Sequence, residues 1–251
     1  MAVKITGKRR PCRFIITAGP TREYLDPVRF LSNPSTGKMG FAIAAEAARR
    51  GHEVTLVAGP VTLKTPKGVR RVDVVSAREM LSAAREAVAS YRRRPRRLAL
   101  GGAVGGDADS TVFISTAAVA DWRPAKCAAK KLKKGEMSSI LKLVRNPDIL
   151  KTINRQRSSL IPYPSSLLLV GFAAETDHVL AEAARKCREK GLSFIVANDV
   201  TQKGCGFGTD TNRVTFVFPD GAQKKFPLMT KRMVAKRILD ALSSVAAGRE
   251  G

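Results

Sequence analysis

Short apolar, β-branched runs alternate along this chain with stretches whose apolar positions recur every three or four residues, the signatures of strands and amphipathic helices. Ile15-Ile16-Thr17-Ala18 reads as a strand that ends at the Gly19-Pro20 step, and beyond a polar, glycine-punctuated loop a helix spans about 38–50. A strand at 53–58, a loop to Pro66, a strand at 69–75 and a helix near 77–91 continue the alternation. The stretch from Arg92 to Asp109 has Gly and Arg but no apolar period, and reads as a flexible insertion. Next come a strand at 111–116, a polar loop, a lysine-rich segment and a strand at 138–144. Asn146-Pro147-Asp148 then opens a helix, with Asn146 as cap and Pro147 at the first helical position.

After a loop from Ser158 to Ser166, Leu167-Leu168-Leu169-Val170 has the unbroken apolar character of a strand buried on both faces. A helix at 177–190, a strand at 192–197 and a hairpin of 213–218 and 223–226 around Asp220-Gly221 follow. Val234, Ile238, Ala241, Leu242 and Val245 stripe a last helix. The order predicts an α/β fold, a Rossmann-like doubly wound, mostly parallel sheet with a C-terminal hairpin and helix, formed by residues 13–251 after a basic tail at 1–12. In such a fold, ligands bind in a crevice at the carboxyl ends of the strands.

Composition narrows the function classes. The 251 residues are 44% hydrophobic, enough for a real core, and no apolar run approaches the length of roughly 18 residues that spans a bilayer. Cys12, Cys127, Cys187 and Cys205 are far apart and His52 and His178 form no cluster, which argues against structural zinc or a disulfide frame and fits the reducing cytoplasm. The charge of +24 admits a nucleic-acid surface, but no zinc-finger or aromatic-basic pattern organises it. Attraction for small anionic substrates together with solvated surface accounts for it better, so nucleic acid is not the expected partner.

The first loop carries the candidate chemistry. Ser35-Thr36-Gly37-Lys38-Met39-Gly40 places glycines and small polar residues at a helix N-terminus, where backbone amides and the helix dipole favour an anion. The spacing fits neither a dinucleotide fingerprint nor a Walker loop, in which Met39 would have to be Ser or Thr. The block Asp26-Pro27-Val28-Arg29-Phe30-Leu31-Ser32-Asn33, with the Ser35–Gly40 block, resembles the opening of the phosphopantothenoylcysteine synthetase family. That family is the ligase of coenzyme A biosynthesis and in many bacteria forms the C-terminal half of a fused flavoprotein. The resemblance returns at 117–124, 131–134, 146–150, 171–176, Ala197-Asn198-Asp199 and Gly206-Phe207-Gly208.

The resemblance implies a ligase that joins 4'-phosphopantothenate to L-cysteine through an acyl-nucleotide, with Mg2+ on the triphosphate, no flavin in this half, and a homodimer. Val119-Ala120-Asp121-Trp122-Arg123-Pro124 is similar to the bacterial type, which uses CTP rather than ATP. Carried over by resemblance, Asn33, Arg29 and Lys131 are catalytic. Ser115, Thr116, Ala117, Asp121, Lys131, Pro147, Asp148, Ile149, Leu150, Phe172, Lys186 and Lys190 bind the nucleotide. Gly19, Ser35, Thr36, Gly37 and Ala118 hold the phosphate and carboxylate of the substrate, and the metal ligands stay unassigned.

Each of these residues also has a plainer reading. Asn33 could be a turn residue before Pro34, Arg29 a surface charge, Asp121 a loop cap, and Phe172 ordinary core. Lys131 and Lys133 suit an exposed edge strand, and Lys186 and Lys190, one helical turn apart, suit a solvated face. Two other function classes share some features. A nicotinamide-dependent oxidoreductase should show G-x-G-x-x-G and an acidic residue after the second strand, where Val57-Ala58-Gly59 stands instead. A nucleic-acid-binding module would explain the charge but not the phosphate-site blocks.

Overall fold

The computed structural model describes residues 12–90, 110–133, 140–161, 163, 166–175, 178–199, 202, 204–206 and 208–247. The basic tail up to residue 11, the expected insertion at 92–109, Lys134, Thr176 and Phe207 lie outside them. The chain runs β1 (Arg13–Ala18), β2 (Arg22–Tyr24), β3 (Phe30–Ser32), α1 (Lys38–Arg49), β4 (Glu53–Ala58), β5 (Val69–Asp73), α2 (Ala77–Ala89) and β6 (Thr111–Ser115). It continues through β7 (Trp122–Pro124), β8 (Leu143–Arg145), α3 (Ile149–Arg155), α4 (Arg157–Leu160), β9 (Leu167–Glu175), α5 (Val179–Glu189) and β10 (Phe194–Asp199). The remaining elements are β11 (Thr211–Asn212), β12 (Thr215–Val217), β13 (Gln223–Lys225), β14 (Met229–Thr230) and α6 (Lys231–Ala247).

Eight strands form the main sheet in the order β13-β12-β10-β9-β6-β1-β4-β5. The six from β10 to β5 are parallel, and β12 and β13 add an antiparallel edge. From β1 the chain winds outward to β4 and β5, then returns to build β6, β9 and β10 on the other side, so the winding reverses between β1 and β6. The doubly wound sheet with its C-terminal hairpin and helix is the expected fold.

Side-chain alternation explains why both faces are covered. Phe14, Ile16, Val112, Ile114, Leu168 and Val170 point into one core, shared with α1 and α6. Their neighbours Ile15, Phe113, Leu167 and Leu169 point into the other, under α2, α3, α4 and α5. The apolar runs are continuous because every strand residue meets a helix on one side or the other.

Several boundaries differ from the sequence pattern. β9 extends past Val170 to Glu175, and a turn of helix, α4, occupies part of the expected loop at 158–166. α3 starts later than Asn146-Pro147 suggests, because Asp148 is the cap: its carboxylate accepts from the Lys151 amide at 2.9 Å. Asn146 is drawn away from capping by its bonds to Ala120 O at 2.8 Å and to Arg123. Of the strand expected at 138–144 only the end forms, as β8 at Leu143–Arg145, with 138 and 139 outside the described residues, while β2, β3 and β7 lacked a recognisable signal, since each has only three residues.

α1 is fixed at both ends. Near its start Gly40 lies so close to the sheet that an added Cβ would come within 2.5 Å of both Ala18 Cβ and Thr116 Oγ1. Later, the buried Glu46 carboxylate accepts from Arg49 and Arg50, while Arg50 reaches α6 through Lys236 O and Asp240. Hydrogen bonds from Arg49, then Arg50, outweigh burial and hold the Glu46 carboxyl down at about 2.

Gly40→Ala should cost about 2 kcal/mol, because overpacking costs about 1–3 kcal/mol, two contacts at 2.5 Å put this site at the upper end, and alanine recovers about 1 in a helix. A urea titration that finds this variant as stable as the wild type would show that the strands yield freely. Because the folded pKa of Glu46 lies below its ordinary 4.5, its ionised form stabilises the fold above that pH, and the contribution fades as the pH falls toward 2. Glu46→Gln should therefore lower stability by about 1–2 kcal/mol at neutral pH. Its deficit against wild type should narrow on melting at about pH 5, 4 and 3; a deficit independent of pH would disprove the ionic account.

Candidate active site

The loops that leave β1 and β6 stay paired beyond the sheet. Thr17 O accepts from Thr116 N at 3.2 Å and from Thr116 Oγ1 at 2.6 Å, and Gly19 O accepts from Ala118 N at 2.9 Å. Ala120 N donates to Thr21 Oγ1 at 3.1 Å, carrying the zipper further. Asn33, just after β3, lies across it and donates through Nδ2 to Ala118 O at 3.3 Å and Val119 O at 3.1 Å. The structure thus joins four of the expected site residues, Asn33, Gly19, Thr116 and Ala118, through one set of bonds. Gly19 has φ 78 and an added Cβ would meet Val61 at 2.9 Å, so the turn requires glycine.

α1 begins beside this zipper. Gly37, in the left-handed region at φ 78, is its N-cap and supplies no side-chain bond to the first-turn amides. Ser35, Thr36, Gly37 and Gly40 line a cleft together with Thr116, Phe172, Ala173 and Ala174. Asn198, Gly206, Asn212 and Lys231 complete it. An adjoining open depression, which includes Asn33 and Pro60, shares Ser35 and Thr36 with the cleft.

The cleft is electropositive and has a free polar atom. Asn198 is only 7% exposed, and its Oδ1 has no hydrogen-bond partner although buried polar atoms are nearly always paired. Lys231 is equally buried and donates to Gly206 O and Thr209 O. Desolvation, then the charge of Lys38, pushes its pKa down. Lys38 itself donates to Gly208 O and Asp210 Oδ1, both at 2.8 Å. Two ammonium groups, uncapped helix amides and a half-buried phenylalanine suit a ligand that joins an aromatic ring to phosphates.

Lys38 and Asn198 stand inside the Ser35–Gly40 and Ala197–Asp199 blocks but were given no role from sequence, and Asn212 and Lys231 were not singled out. Asn198 left a trace, a polar side chain following the apolar run of a parallel strand. Lys231 left none, because a lysine at the start of a surface helix reads as solvated.

The remaining expected residues fall into two groups. Arg29 bonds to the buried Asp26 carboxylate and donates to Leu132 O at 2.9 Å, so its guanidinium is directed at its own turn. That partner holds the Asp26 carboxyl well below the usual carboxylate range, against burial that would raise it. Lys131 and Lys133 stand exposed on either side of Leu132. Asp121 is exposed, and its backbone oxygen accepts from Asn146 N at 2.8 Å.

In the second group, Asp148 pairs with Lys190 at 2.8 Å. Burial pushes the Asp148 carboxyl up, but the Lys151 amide and Lys190 prevail and it titrates below the ordinary value. Ile149 and Leu150 are buried in the core, so only their backbone can face a ligand. Lys186 stands one turn before Lys190 on α5, and Ser115, Thr116 and Ala117 pass from the end of β6 into the zipper.

The family model for the DNA/pantothenate metabolism flavoprotein C-terminal domain matches residues 10–92 and 102–245. The coenzyme A biosynthesis bifunctional protein CoaBC of Escherichia coli (strain K12) is 44% identical over 231 residues, 91% of this chain and 50% of that protein. Its counterpart in Bacillus subtilis (strain 168) is 43% identical over 233 residues, 92% of this chain and 51% of that protein. The chain therefore spans about half the length of the curated relatives it matches. A crystal structure of the C-terminal domain of a CoaBC protein superposes with a TM-score of 0.72 at 37% identity, covering 97% of this chain and 100% of that one. A match on both sides of residues 93–101, with a crystal structure that the fold covers end to end, establishes that the chain belongs to the family of DNA/pantothenate metabolism flavoprotein C-terminal domains.

Proposed function

We propose that this domain is a phosphopantothenate–cysteine ligase that uses CTP. The 4'-phosphopantothenate carboxylate attacks the α-phosphorus of CTP and releases pyrophosphate, giving an acyl-cytidylate. The cysteine amine then attacks the acyl carbon, loses a proton, and CMP departs. No side-chain nucleophile is needed; the site must hold two anions together and neutralise them. The observation that carries this reading is the cleft at the start of α1, lined together by a buried lysine, an asparagine whose side-chain oxygen has no partner, and a half-buried phenylalanine.

In this assignment the α1 amides, Ser35, Thr36 and Gly37 receive phosphate oxygens. Phe172 flanks the base, while Lys131, Lys186 and Lys190 add positive charge toward the triphosphate. Asn33 lies at the mouth. Its amide nitrogen orders the Ala118–Val119 carbonyls, and a developing acyl oxygen competes for the longer, 3.3 Å bond. Arg29, if released from Asp26, would answer a carboxylate or phosphate, and Asp121 remains a candidate for the substrate or nucleotide. Mg2+ usually keeps water and phosphate ligands and one or two carboxylates, so it would arrive with the triphosphate, and Asp121 is a carboxylate within this set. Among the described residues no three His, Cys, Asp or Glu side chains converge as a cage.

A homodimer working in the cytoplasm fits the surface. Val28 and Phe30 of the first hairpin, Trp122 and Leu143 of the second, and Ile140 and Leu141 beside it are large apolar residues left exposed. The two hairpins touch through β2 and β7. Such a patch marks an interface.

The assay supplies phosphopantothenate, cysteine and each nucleoside triphosphate in turn, and follows pyrophosphate and the ligated product. CTP should give the highest kcat/KM; equal or better use of ATP would overturn the choice of nucleotide, and no product with any of them would overturn the ligase. Asn33→Asp sets a charge against two carbonyls, a carboxylate and an α-phosphate. Turnover should fall by about 10²–10³, the scale of losing one preorganised donor. CTP affinity should change less, because the lysines remain. Near-normal turnover, or loss only in step with a collapsed melting transition, would make Asn33 a turn residue.

A further inference from the structure

Asp26 has no solvent exposure, yet it sits in a surface turn between β2 and β3. Its Oδ1 accepts from the amides of Val28 and Arg29, both at 2.9 Å. Those bonds explain the turn. They do not explain Oδ2, which accepts from Arg29 Nε at 3.0 Å and from the amide of Leu132 at 3.2 Å, a residue 106 positions along the chain. The same arginine returns to Leu132 and donates to its carbonyl at 2.9 Å.

A carboxylate and a guanidinium thus capture both backbone polar groups of one residue, as a neighbouring strand would. A second bond, Ala128 N to Leu25 O at 2.8 Å, fastens the same segment one step earlier. Leu132 is the only apolar residue in the run Lys130-Lys131-Leu132-Lys133. Without a fastening, such a segment has no face to bury and its lysines would repel one another into solvent. Held at Leu132, it presents Lys131 and Lys133 at a fixed place.

We propose that Asp26 is a positioning residue for nucleotide binding: with Arg29 it clasps the backbone of Leu132 and so sets where Lys131 meets the triphosphate. What Lys131 meets rests on the ligase reading above; the clasp itself does not. The buried charge is what makes the capture specific. An unpaired carboxylate at this depth is costly, so the segment and the arginine must both dock for the turn to be satisfied.

The test is a double-mutant cycle on the full chain with Asp26→Asn, Lys131→Ala and their combination, read by kcat/KM for CTP and by amide hydrogen exchange. Asp26→Asn should speed exchange at Leu132 by about tenfold or more while the amides of β1 and α1 stay unchanged. Its kcat/KM should fall by about tenfold, and by less than about twofold when Lys131 is already alanine, because the clasp then has nothing to position. Equal losses in both backgrounds, or unchanged exchange at Leu132, would overturn the proposal. If Asp26→Asn fails to fold, Leu132→Pro removes the captured amide, while also restricting the backbone of Lys131, and should reproduce the loss of kcat/KM; wild-type kcat/KM in that variant would equally overturn the proposal. Absence of ligated product from the wild type would sink the ligase reading instead, with Leu132 exchange still deciding the clasp.

Discussion

The structure depends on how closely α1 approaches the sheet. With Gly40 leaving no room for a Cβ against Ala18 and Thr116, the helix start sits over the carboxyl ends of β1 and β6. The winding reverses between these two strands, and beside their paired loops a crevice opens at the carboxyl ends of β6, β9 and β10. The helix then aims its unbonded amides along that crevice. A bulkier residue would lift the helix and move the anion site, the Ser35–Gly37 turn and the neighbouring zipper together.

Charge in this molecule is arranged rather than merely abundant. Lys231 and Lys38 are held by carbonyl oxygens and Asp210, so the cations that line the cleft are already directed, and at the far end of α5 Lys190 is held by Asp148. Backbone carbonyls orient an ammonium without cancelling it, which leaves Lys231 able to attract an anion at a desolvated position. Glu46 and Asp26 act differently: each is buried, each is ionised by adjacent arginines, and each joins segments distant in sequence. These two buried carboxylates serve the fold, whereas Lys38 and Lys231 line the cleft.

The β-α order, the parallel core and the carboxyl-end crevice were legible because strand periodicity and glycine punctuation are local. So was the helix start at the Ser35–Gly40 block, whose residues line the cleft. The hairpins were not, since a three-residue strand offers no period to read. The cap of α3 was misplaced for a related reason: Asn146 and Asp148 are both good caps, and the choice was made by a distant partner, Ala120 O. Asn198 and Lys231 meet α1 only after the sheet has closed, and no spacing in the chain announces that. The sheet order alone would also have suited a nicotinamide enzyme; the loop after β1 and the family match separate the two.

Asn33 shows why a site residue can be found from sequence while its state cannot. A motif identifies the amide but not the two carbonyls it already holds. Those bonds change the chemistry asked of it. A free amide would simply donate to an acyl oxygen, whereas under the proposed function this one would exchange partners, and the energy of the step would be the difference between two hydrogen bonds rather than the whole of one. The advantage is preorganisation: the amide is oriented before substrate arrives, and the Ala118–Val119 backbone it orders belongs to the same zipper that fixes β1 against β6. Ligand capture at Asn33 and loop geometry at the crevice are therefore coupled through a single side chain, which is why a charge placed there should disturb turnover more than it disturbs the fold.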